Sequence, residues 1–188
     1  MNPYTLLAKL AVETYVKEKK IILPPKNLPK ELLTKRAGAF VTIEKEGRLR
    51  GCIGTYLPTK ENLAKEIIQN AVAAATEDYR FGQIRAEELP RLSYVVYVLQ
   101  KPRLVKNIKE LNPKKYGIII RNIPIFYSDY KKDTVMFNGV TPPKSGLLLP
   151  DLEGINTVEE QISIACQKAG IDPTVEQILI YKFTAEKH

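Results

Sequence analysis

The chain has 188 residues, 29 Lys and Arg against 21 Asp and Glu, and a formal net charge of +8, a size that suits one domain or two small interleaved lobes. Two cysteines, Cys52 and Cys166, and a single histidine, His188, fit neither a zinc spacing nor a disulfide scaffold, so no metal and no cofactor are expected. No apolar stretch approaches a membrane span, and no charged start leads into an apolar run with a cleavage site. A soluble, cytoplasmic protein is therefore expected.

Asn2 and Pro3 make an N-cap and first helical position for an amphipathic run that places Leu6, Leu7, Leu10, Ala11 and Thr14 on one face. Pro24, Pro25 and Pro29 end it in an extended connector. Alternation over 37–43 and 48–53, with a turn at 44–47, predicts a β-hairpin whose second strand carries Cys52. Thr59 is read as the cap of the next helix, with Leu63, Ile67, Ala71 and Ala74 in helical spacing. The many alanines there predict close packing against another backbone. The segment 93–99 is apolar enough for the centre of a sheet. In the second half, 116–121, 123–127 and 134–140 are short strand candidates, and Pro142-Pro143 forms a turn before 146–150. Thr157 and Glu160 form a capping box for a helix through Ile162, Cys166 and Ala169, closed by Gly170. A strand over 175–183 precedes a polar tail, in which His188 is expected to be mobile. This order predicts an α+β fold with a mixed, largely antiparallel sheet, flanking helices and two interleaved subdomains, the smaller around 101–150.

The segment Leu49-Arg50-Gly51-Cys52-Ile53-Gly54-Thr55 is the densest in chemistry. Alternation puts Arg48, Arg50 and Cys52 on one face, where cations favour the reactive thiolate, and the glycines leave the backbone open to a ligand. The alternative is a strand ending in a turn, with Cys52 as a small hydrophobe. In Asp78-Tyr79-Arg80-Phe81, Arg80 suits an anionic ligand and Asp78 a base or orienting group. Equally, Arg80 pairs with Asp78, Glu87 or Glu88 as a structural bridge. Cys52, Arg50 and 78–81 are expected to share one cleft, walled in part by 146–150. Glu77, Glu88 and Tyr116 are the remaining proton carriers.

No Walker loop, dinucleotide-binding glycine pattern or nucleophile elbow is present. The lysines are scattered, so a solvated surface of thermophile-like composition competes with a nucleic-acid surface. Tyr116, Tyr127 and Tyr130 among Lys114, Lys115, Lys131 and Lys132 could stack bases or be ordinary strand residues.

The segment 49–55, with 36–42 before it and Asp78-Tyr79-Arg80-Phe81, Glu88-Leu89-Pro90, 146–150 and 166–170 after it, resembles the AMMECR family. That family is named for the Alport syndrome, mental retardation, midface hypoplasia and elliptocytosis chromosomal region. The resemblance covers about 36–171, and the family is one without an established activity; the residues themselves make Cys52 and Asp78 the catalytic candidates and Arg50, Gly51, Gly54, Thr55, Arg80, Phe81 and Glu88 the ligand-binding ones. Some relatives carry His or Asp where this chain has Tyr116. Recurrent association with Memo-like and radical SAM proteins implies a shared pathway modifying a macromolecule. Two functions follow as expectations: an enzyme or enzyme component acting through Cys52, or a protein- or RNA-binding adaptor, with RNA binding at most weak.

Overall fold

In the computed structural model, which describes residues 2–123 and 143–188 and the backbone of 126–131 and 134–140, the chain divides into two units. The first comprises 1–101 and 185–188, the second 102–184. No helix among the described residues is long and apolar enough to cross a membrane.

The first unit is a four-stranded antiparallel sheet carrying helices on one face. Helix α1 (Pro3–Glu18) starts at Asn2, whose side chain accepts from the Tyr4 N–H, and ends at Lys19 in the left-handed region. It buries Tyr4, Leu7, Ala8, Ala11, Val12 and Val16. Leu6 and Leu10, expected on the buried face, are exposed. The helical period holds but its phase is shifted, because Ala8 and Val12 rather than Leu6 and Leu10 complete the buried stripe. The connector expected to be wholly extended contains a short helix, α2 (Lys30–Thr34), following Pro29.

Strands β1 (Ala39–Lys45) and β2 (Arg48–Gly54) form the expected hairpin. Its turn uses Glu46 and Gly47, both at positive φ. Helix α3 (Leu63–Thr76) follows. Its cap is Asn62, whose side chain accepts from the Lys65 N–H, so Thr59 is not the cap. After a 3-10 turn (Ala86–Arg91) comes β3 (Leu92–Leu99). Two short elements, β4 (Arg103–Leu104) and a 3-10 turn (Ile108–Glu110), and strands β5 (Gly117–Asn122), β6 (Phe126–Lys131), β7 (Thr134–Val140) and β8 (Ser145–Leu148) precede helix α4 (Val158–Ala169). Strands β9 (Ile178–Phe183) and β10 (Ala185–Lys187) complete the order.

The first sheet runs β10-β3-β1-β2. Its buried side, including Ala39, Val41, Ile43, Val96 and Val98, meets Leu63, Ile67, Ala71 and Ala74 of α3 and the inner face of α1. Removing a fully buried side chain such as Ile67 costs about 2–5 kcal/mol. The polar tail is ordered into the sheet as β10, against expectation. Ala185 pairs with Leu99, and the backbones of His188 and Val96 exchange hydrogen bonds of 2.9 and 3.1 Å. The His188 ring stacks on Tyr4 at 3.8 Å with 5° between planes, which is why it is held rather than mobile.

The second unit holds a sheet in the order β4-β9-β5-β8, with α4 over one face, and the separate hairpin β6-β7. Cys166 lies in its core with Ile118, Ile120, Leu148 and Ala165. The described architecture is α+β and antiparallel throughout.

Candidate functional site

β2 is an edge strand, and edge strands need their outward-facing peptide groups covered. At Cys52 this is done by a side-chain pair. Asp78 Oδ2 accepts the Cys52 N–H at 2.9 Å, and Arg80 Nη2 reaches the Cys52 carbonyl oxygen at 3.5 Å. Asp78 lies just beyond the C-cap of α3 and is buried. It also accepts from the Arg80 N–H at 3.2 Å, from Arg80 Nε at 2.9 Å and from Arg80 Nη2 at 2.7 Å. The Arg80 guanidinium, then the Cys52 and Arg80 N–H groups, hold its carboxyl down to about 2 against the opposing effect of burial. Asp78 is thus ionised and fully hydrogen-bonded.

Cys52 is half-buried and stands opposite Thr42, with Sγ 3.2 Å from Thr42 Oγ1. Strict alternation predicts Arg48 and Arg50 on its face. A β-bulge between Ile43 and Glu44 changes this. Leu49 pairs with Glu44 and Arg48 with Lys45, leaving Arg50 as the extra residue. Leu49 rather than Arg48 therefore shares the Cys52 side, and the guanidinium that reaches the Cys52 peptide is Arg80. That guanidinium is held protonated above all by Asp78, with the charge of Cys52 a smaller contributor.

Arg50 is spent elsewhere. Nε and Nη2 donate to Glu88 Oε1 and Oε2 at 3.1 and 3.0 Å, while Nη1 and Nη2 donate to the carbonyl oxygens of Gly82 and Gln83, each at 3.1 Å. Glu88, itself buried, also accepts from Lys45 Nζ at 2.9 Å and from the Arg85 N–H at 3.0 Å. Arg50, then Lys45 and that N–H, keep the Glu88 carboxyl far below the usual range. Arg50 and Glu88 thereby pin the loop after α3 to the bulged strand.

The glycines of the segment serve close packing. A Cβ on Gly51 would run into the Ala74 carbonyl oxygen of α3, and one on Gly54 into the ring of Phe40. This is the backbone contact that the alanine-rich helix implied. Thr55 donates to Glu66 Oε1 at 2.6 Å, and Glu66 also accepts from Thr59 Oγ1 and from the N–H groups of Thr59 and Lys60, each at 2.8 Å. Asn70 Nδ2 donates to the Ala39 carbonyl at 2.9 Å. Glu66 and Asn70 went unread in the sequence. Their positions between Leu63, Ile67, Ala71 and Ala74, at three- and four-residue spacing, were the signal that could have found them.

The turn after Asp78 carries the exposed groups. Phe81 N–H donates to the Asp78 carbonyl at 3.1 Å, and the Arg80 guanidinium lies over the Phe81 ring, 5.2 Å from its centroid. Tyr79 is 94 % exposed, the Arg80 side chain 43 % and Phe81 37 %. Cys52, Asp78, Arg80 and Phe81 are therefore brought together, with Arg50 on the same strand as Cys52 paired to Glu88 of the following 3-10 turn. The segment 146–150 belongs to the second unit, where a Cβ on Gly146 would meet the Ala165 carbonyl oxygen of α4. In that unit the Tyr116 ring has Lys115 Nζ and Lys182 Nζ 5.2 and 5.0 Å from its centroid. Tyr127, Tyr130, Lys131 and Lys132 lie outside the described side chains. Among the described residues, no three His, Cys, Asp or Glu side chains group as metal ligands would.

A protein of Thermotoga maritima is 46 % identical over 188 residues, covering 100 % of this chain and 97 % of that protein. One of Clostridium acetobutylicum is 38 % identical over 188 residues, but the chain spans only 36 % of its length. The crystal structure of an uncharacterised protein from Pyrococcus horikoshii is similar with a TM-score of 0.79 and 32 % identity, covering 98 % of this chain and 88 % of that one. The AMMECR1 family model matches residues 5–188, and the chain belongs to that family.

Proposed function

We propose that the chain is a protein-binding module whose contact surface is Tyr79, Arg80 and Phe81, with the Cys52 thiol beside them. One observation carries this reading. The two buried carboxylates of the site, Asp78 and Glu88, are saturated by arginine and backbone donors, whereas the aromatic and cationic side chains on the turn they brace are exposed. A general base needs a pKa near the working pH, and a carboxyl held at about 2 is a poor one. Tyr and Arg on a pre-organised turn are the residue types that dominate binding energy at protein interfaces, and Phe adds apolar contact area.

Memo-like and radical SAM proteins from the same genome, which the family resemblance implies as associates, are the first partners to titrate by calorimetry. Changing Tyr79 and Phe81 together to Ala should weaken binding at least about tenfold with the melting temperature unchanged, since tenfold is about 1.4 kcal/mol and interface hot spots cost about 2 kcal/mol or more. Cys52→Ser should leave affinity within about twofold. Unchanged affinity in the Tyr79/Phe81 variant overturns the proposal.

A second reading, thiol chemistry at Cys52, is favoured by the Arg80 guanidinium at the Cys52 peptide. A turnover abolished by Cys52→Ser and kept in the Tyr79/Phe81 variant would establish it instead. RNA binding is a separate matter of dispersed lysines. It should be weak, fall steeply with salt and show little sequence preference.

A further inference from the structure

The second unit carries an open groove of about 690 Å³ along one side of α4. Five of its lining residues, Glu159, Ile162, Ser163, Cys166 and Gln167, repeat at three and four positions. They form a helical stripe about two turns long with no helix packed along it among the described residues. Ile108, 51 % exposed, supplies the facing apolar surface, while Ile171 and Cys166 are buried in the floor. A shallower depression continues from Ile108 to Leu104 and Ile178.

The groove's charge opposes that of the molecule. It is lined by two carboxylates, Glu159 and Asp172, and by no Lys or Arg, in a chain of net charge +8. Glu159 has no ion-pair partner among the described residues. Asp172 uses Oδ1 to accept from Thr174 N–H and Oγ1, at 2.9 and 2.6 Å, and the pair of bonds draws its carboxyl below the ordinary range. Two nearby cations are committed elsewhere. Lys144 pairs with Glu176 at 2.7 Å and Lys168 donates to the Leu147 carbonyl at 3.0 Å, while Lys106 lines the shallower depression and not the groove itself.

We infer that this groove binds a short amphipathic helix of a partner protein, with an apolar stripe against Ile108 and Ile162 and flanking Lys or Arg side chains against Glu159 and Asp172. An unpartnered helical stripe with apolar and acidic positions is complementary to a helix with apolar and basic ones. General electrostatics would repel such a ligand from a chain of net charge +8, so binding would have to be local.

The test uses the full chain and two fluorescein-labelled model helices, one of Leu and Lys and one of Leu and Glu, followed by anisotropy at physiological salt. The Leu/Lys helix should bind and the Leu/Glu helix should not. Ile108→Ser, and separately Glu159→Gln with Asp172→Asn, should each weaken binding about tenfold or more while the chain stays folded by circular dichroism. Absence of binding, equal binding of both helices, or affinity indifferent to both variants overturns the inference. So does a dimer seen by light scattering and lost in Ile108→Ser, which would make a second copy the occupant.

Discussion

Cys52 and Cys166 present the same atom in opposite settings. Burial, and then the charge of Glu176, pushes the Cys166 thiol up within the core of the second unit. Cys52 is half-buried beside Thr42 and the Asp78–Arg80 pair. Iodoacetamide at neutral pH should therefore modify Cys52 about tenfold or more faster than Cys166, as mass spectrometry of native protein would show. Arg80→Ala should slow the Cys52 reaction because it leaves Asp78 as an uncompensated anion nearby. Arg50→Ala should act differently, through stability. It leaves the buried Glu88 carboxylate with only Lys45 and the Arg85 N–H, at a cost of about 3 kcal/mol in chemical denaturation. Equal labelling of the two cysteines would remove the basis for any thiol role. Asp78 makes a further prediction through its pKa, about 2 in the folded state against an ordinary 3.8. The unfolded chain takes up the proton first, so this stabilisation is complete above about pH 4 and is lost as pH falls toward 2. Denaturation midpoints between pH 5 and 2 should fall less steeply in Asp78→Asn than in the unaltered protein.

The meaning of the Gly51–Gly54 segment lies in how β2 meets its neighbours. Gly51 allows α3 to approach, so Gly51→Ala should cost about 1–3 kcal/mol by overpacking and lower the melting temperature without altering Tyr79 or Phe81. A variant as stable as the parent would show that α3 can withdraw at no cost. Local periodicity was enough to find α3, α4 and the β1–β2 hairpin, because caps, alternation and helical spacing are written within a few residues of one another. The Thr157–Glu160 capping box is an example, with Glu160 N–H donating to Thr157 Oγ1 at 3.1 Å. What escaped depends on distant partners. The bulge at Arg50 is set by pairing with β1, and it reverses the face that alternation alone assigns to Arg48. Strand β10 reads as a polar tail because Ala185 and Lys187 find their place only against β3. The grouping of Cys52 with the 78–81 block was legible as chemistry. The commitment of Arg50 to Glu88 was not, since either acid near the motif could have claimed it.

At the scale of the whole chain, the second unit is an insertion between two adjacent strands of the first. The chain leaves after β3 and returns at β10, and Leu99 and Ala185 are direct partners. Replacing 102–184 with a tight hairpin turn should leave a cooperatively folding first unit, seen as a single thermal transition by circular dichroism. A broad, non-cooperative melt would show that the first unit needs the second to fold. The same arrangement orders events on the ribosome. When the residues through Leu99 have emerged, the β3 edge that will receive β10 has no partner, and the Tyr4 ring lacks the imidazole that will stack on it. Both must wait while 102–184 are translated. The first unit can close only after the second has been made, so until then the apolar β3 edge lacks the strand that covers it and is open to any chain or chaperone nearby.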